Sequence, residues 1–152
     1  MFGLSKKEVL VKAIKNACNN ELQVYKTGAI KLASMQSSDE DIDKMVAAIR
    51  REYLNSVFDA IWASFRASSP TIETKMRLAM MSPSITGLPE EFDIEYFDCN
   101  GISAGCTFAI AYYALTGKSI SNKEYKTCSM LNHYQNDLMQ NVLVDLANTQ
   151  QI

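Results

Sequence analysis

Helix-breaking residues are scarce in the first half of this chain. Pro70 is the first of only three prolines, and before it glycine occurs only at Gly3 and Gly28. Little in that stretch can interrupt a helix, so it predicts a helical hairpin. Histidine is scarcer still, with His133 the single example. That excludes the carboxylate di-metal chemistry of helical bundles, which draws on repeated Glu-x-x-His pairs. An excess of positive charge is also lacking, since the formal net charge is -2. The chain has no surplus with which to neutralise a phosphate backbone, so nucleic acid is not an expected partner.

Other absences narrow the chemistry further. Cys18, Cys99, Cys106 and Cys128 include no C-x-x-C pair and have no paired histidines beside them, so no zinc site or other cofactor is expected. The glycines form neither a P-loop nor a dinucleotide fingerprint. The longest strongly apolar run, Cys106 to Leu115, is about half the roughly 20 residues that cross a bilayer as a helix, so a membrane partner is not expected. The opening residues turn charged at Lys6-Lys7-Glu8, where an export signal needs an apolar stretch, and Gly3 misses the second position that N-myristoylation requires. These features lead us to expect a cytoplasmic protein with reduced thiols.

What is present describes a scaffold. With 152 residues, 47% of them hydrophobic and 21% charged, the chain suits a single globular domain over 1–152. Ser5-x-x-Glu8 is a capping box announcing a first helix, with Leu4 and Val9 placed to form a hydrophobic staple. Val11, Ile14, Cys18, Leu22, Tyr25, Ala29 and Leu32 then follow one helical face, predicting a helix to about Ser34. A break at Asn19-Asn20, where helix propensity is low, is the alternative. Ser38 is placed to cap the next helix, which shows Ile42, Met45, Val46, Ile49, Tyr53 and Val57 on one side.

Ser69-Pro70 ends that helix and opens a shorter one with Ile72, Met76, Ala79 and Met80 as its buried face. From 82 to 105 prolines, glycines and acids crowd together, and Phe92, Ile94 and Tyr96 alternate with acids as in a short strand or a distorted helical turn. Cys106 to Thr116 reads as a buried helix ended by Gly117. Ser121-x-x-Glu124 starts a long final helix with Leu131, Tyr134, Leu138, Val142 and Leu146 as its stripe, and Cys128 and Met139 at the edge. The expected fold is mainly α: a helical bundle with two long N-terminal helices, a long C-terminal helix and an irregular acidic segment around 82–105.

Four features are candidate sites. Gly101-Ile102-Ser103-Ala104-Gly105 matches the G-x-S-x-G of a nucleophile elbow, which needs a feeding strand, a departing helix and a convergent histidine and carboxylate. The sole histidine, His133, projects away from the apolar stripe of its helix, and the only carboxylate between the two is Glu124, already explained as a cap residue. Cys106 and Cys99 are candidate reactive thiols, because Cys106 stands near a helix N-terminus, although no base lies beside it.

Glu90, Glu91, Asp93, Glu95 and Asp98 form an acidic run that fails as a calcium loop. With Gly101 at the invariant glycine, Tyr96 and Thr107 fall on the first and last ligand positions. It reads instead as a solvated loop or a recognition surface for a basic partner. Finally, Leu54, Phe58, Ile61, Trp62 and Phe65 make their helix apolar nearly all round, so it is either central to its own domain or an interface anchored by Trp62 and Phe58. The functional expectation is a non-catalytic cytoplasmic protein-protein interaction module of adaptor, chaperone or inhibitor type, with a protein partner or a homo-oligomer. The alternative is a small serine hydrolase using Ser103, or a thiol enzyme using Cys106.

Overall fold

The computed structural model describes residues 5–35, 39–89 and 101–150. These residues form α1 (Lys6–Asn20), α2 (Leu22–Ala33), α3 (Asp39–Ser68), α4 (Pro70–Met81), a 3-10 turn (Pro83–Thr86), α5 (Ala104–Thr116) and α6 (Asn122–Gln150), with no strand among them. The mainly α bundle expected from the sequence is what the chain builds. The acids of 90–98, the alternation at 92–96, Cys99, and the proposed roles of Leu4 and Ser38 lie outside the described residues.

The first arm of the hairpin is two helices, not one. The Ser5 hydroxyl accepts from the Glu8 amide and donates to its carboxylate, the N-cap contact that starts α1. Fifteen residues later the chain breaks at Glu21, so the Asn19-Asn20 alternative holds. Asn19 turns its side-chain amide onto the Lys15 carbonyl and the Tyr134 hydroxyl. The buried Tyr53 hydroxyl donates to the Cys18 carbonyl at 2.8 Å. Side chains that engage helix carbonyls in this way bend or end a helix. Beyond the break, α2 runs antiparallel to the first half of α3, with the rings of Tyr25 and Tyr53 at 5.7 Å and Gly28 against Ile49.

At the centre lies α5, where Ala104 to Ala111 and Ala114 are all buried. α1, α3, α4, α6 and the 3-10 turn pack around it. Its small side chains bring neighbouring backbones close: a Cβ on Gly105 would lie 2.6 Å from the Cys128 carbonyl oxygen of α6. The helix begins two residues before Cys106 because Ser103, not a later residue, is its N-cap. It ends at Gly117, whose φ of 70° is the left-handed cap expected there.

The buried stripe of α6 is turned from the expected one. Cys128, Leu131, Gln135, Met139 and Val142 are buried, while Tyr134, Leu138 and Leu146 are half-buried. Cys128 and Met139 therefore belong to the core and not to its edge. The cause is Gln135, a polar residue at a core position, which the apolar pattern skipped.

Candidate functional site

The glycine-flanked serine is built into the start of α5. Gly101 takes φ 84°, a backbone conformation that glycine adopts without penalty, and it lies against the Arg51 backbone and the Leu54 Cβ of α3. The next amide, Ile102, donates to Asn55 Oδ1 at 3.1 Å. Ser103 Oγ then accepts from the Cys106 amide at 3.3 Å, the ordinary N-cap bond. The two amides between are capped from α6: Ala104 donates to Gln135 Oε1 at 2.9 Å and Gly105 to Asn132 Oδ1 at 2.7 Å. The donors that would form an oxyanion hole above a nucleophile are thus already engaged by protein acceptors. Gly105 is required by the closeness of α6, as the Cβ test shows.

The partners proposed for Ser103 sit elsewhere in their own roles. His133 is exposed on α6. Glu124 accepts from the hydroxyls of Ser121 and Tyr112, and these bonds, Ser121's foremost, hold its carboxyl below the usual range. Cys106 is buried, and burial pushes its thiol up to about 11 despite the hydrogen bond with Ser103. A thiol held protonated in this way is a poor nucleophile at neutral pH. Cys18 is raised to about 11 and Cys128 to about 12, again with burial as the first cause. Among the described residues no cluster of histidine, cysteine, aspartate or glutamate has the make-up of a metal site.

The aromatic side chains proposed as an interface are mostly covered from within. Leu54, Phe58 and Ile61 are at most 8% exposed. Leu54 and Ile61 enter the main core with α1, α5 and α6. Phe58 enters a second cluster with Met76, Ala79, Ile102, Cys106 and Ile110, and Phe65 touches both. Trp62 is half-buried, its ring 5.7 Å from that of Phe58 and under the Arg77 guanidinium at 5.5 Å. The helix is apolar all round because α5 and α4 flank it on two sides. These five residues pack chiefly within the chain's own interior.

The open apolar surface lies at another place, between α2 and the C-terminal half of α6. Leu22, Ile30 and Ala33 face Leu138, Val142 and Leu146 across a groove of about 700 Å³, to which Lys26, Asn141 and Asp145 add polar lining. Ile30 is 48% exposed there. Sequence reasoning missed this groove because Leu22, Leu138 and Leu146 fit the core stripes of their helices. Only the rotation of α6 around Gln135 moves Leu138 and Leu146 to the margin.

No helix among the described residues is long and apolar enough to cross a membrane. The fold and its grooves define a mainly α helical bundle. Comparison of the chain with protein-family models, curated proteins and solved structures finds no match.

Proposed function

We propose that this chain is a non-catalytic protein-protein interaction module, of adaptor, chaperone or inhibitor type and cytoplasmic, whose contact surface is the α2/α6 groove. The observation that carries this reading is the pairing of an open, largely apolar groove with a G-x-S-x-G turn whose hydroxyl and amides are engaged in starting a helix. Two helices presenting apolar side chains across a concave surface suit the apolar face of a third. The occupant is an amphipathic helix of a partner protein; a second copy of this chain is the other source of such a helix. Against the hydrolase and thiol alternatives stand the Ser103 hydroxyl, engaged as the N-cap of α5, and the Cys106 thiol, buried and held protonated.

The test is a photo-crosslinking residue placed at Ile30 in the native cell. The expected result is a discrete crosslinked protein, identified by mass spectrometry, that disappears with Leu146→Asp and does not form from a crosslinker at exposed Asp137. Equal labelling at Ile30 and Asp137 would overturn the reading.

A further inference from the structure

A second groove lies against α1, along the N-terminal half of α6. Its floor is Val11, Met130 and Tyr134, and its walls carry Lys7, Lys12 and Lys15. Met130 is 38% exposed. The charge is uneven: α1 carries Lys6, Lys7, Lys12 and Lys15 against Glu8 alone, within a chain whose overall balance is negative. Lys126, exposed on α6, stands one turn before Met130 and adds to the same side. Glu8 also lines this groove, its carboxylate accepting from the Ser5 hydroxyl, and Glu124 accepts from Ser121 and Tyr112, so the lysines outnumber the acids here.

We infer that the α1/α6 groove binds a carboxylate-rich protein segment that inserts one apolar side chain between Val11 and Met130. The lysines supply complementary charge, which steers encounter and selects against basic partners, and the floor supplies the apolar contact. Nucleic acid fits less well. The Lys15 ammonium lies over the Tyr134 ring at 5.1 Å and the Tyr134 hydroxyl accepts from Asn19, so a base would have to displace Lys15 to stack on that face. Among the described residues that line the groove there is no arginine to grip phosphate with two parallel bonds. This inference rests on the interaction-module reading but concerns a different surface, so the two can fail separately.

The experiment is fluorescence anisotropy of the full chain with a labelled peptide of glutamates around one central leucine. Three comparison ligands are an all-glutamate peptide, a lysine peptide around leucine, and labelled polyuridine; phosphatidylserine vesicles are tested by sedimentation. Binding should be tightest to the glutamate-leucine peptide and weaken about tenfold with Lys12→Glu plus Lys15→Glu. Lys12→Glu alone, at an exposed position, should give a smaller loss in the same direction while circular dichroism stays unchanged. Ile30→Asp should leave this binding intact. The inference is overturned if the leucine adds nothing over the all-glutamate peptide or if charge reversal has no effect. It is equally overturned if polyuridine or vesicles bind more tightly, or if self-association of the chain is what the lysine variants abolish.

Discussion

Ser103 Oγ is an acceptor for a backbone amide, and that bond sets what the residue contributes. Ser103→Ala removes an N-cap and should lower the unfolding free energy by about 1 kcal/mol, read from the urea midpoint, without weakening capture of the partner at Ile30. The buried thiols give a second prediction. Cys106 titrates near 9.0 when unfolded and about 11 when folded, so between those values the folded chain holds the extra proton. Stability from this source is complete below pH 9 and is lost as pH rises toward 11. At pH 10.5 the loss amounts to about 2 kcal/mol for one such group. Unfolding curves at pH 8 and 10.5 should therefore lie closer together for Cys106→Ala than for the wild type. An equal gap in both proteins would show that the thiol is not buried as described.

At the level of helices, the α5/α6 crossing depends on a missing side chain. Gly105→Ala drives a Cβ to 2.6 Å from the Cys128 carbonyl and 2.8 Å from Asn132 Oδ1, a clash with backbone that should destabilise by about 1–3 kcal/mol. Gly117→Ala meets only open space near Lys75 Nζ at 4.0 Å, and should lose about 1–2 kcal/mol from its positive φ alone. The discriminating measurement is the near-ultraviolet dichroism of the folded state: Gly105→Ala should alter it, and Gly117→Ala should leave it as it is.

Much of this level was legible in the sequence. Ser5-x-x-Glu8, Ser69-Pro70 and Gly117 mark real helix ends, because caps are local chemistry that a few neighbouring residues determine. The Glu21 break was visible only as low propensity at Asn19-Asn20, since the Tyr53 hydroxyl on the Cys18 carbonyl comes from another helix. Gln135 was illegible for the same reason: its acceptor role depends on the Ala104 amide, 31 residues away. The G-x-S-x-G string matches a nucleophile elbow because its two glycines and its serine serve equally well as turn, close-packing position and cap.

For the whole molecule, the aromatic half of α3 packs against α4 and α5, and the apolar and basic openings lie along α6 at its C-terminal and N-terminal halves. Ile30→Asp should leave the thermal midpoint within a few degrees of wild type, since the side chain is half exposed, yet abolish partner capture; a large drop in midpoint would instead place Ile30 in the core. The motif and the grooves then divide the labour, one holding the bundle together and the others presenting surface. The most direct measurement is intact-protein mass spectrometry after incubation with a fluorophosphonate, which derivatises activated serines. The chain should keep its unmodified mass, with Ser103 bound into the α5 cap; a stoichiometric adduct mapped to Ser103, absent in Ser103→Ala, would contradict the account.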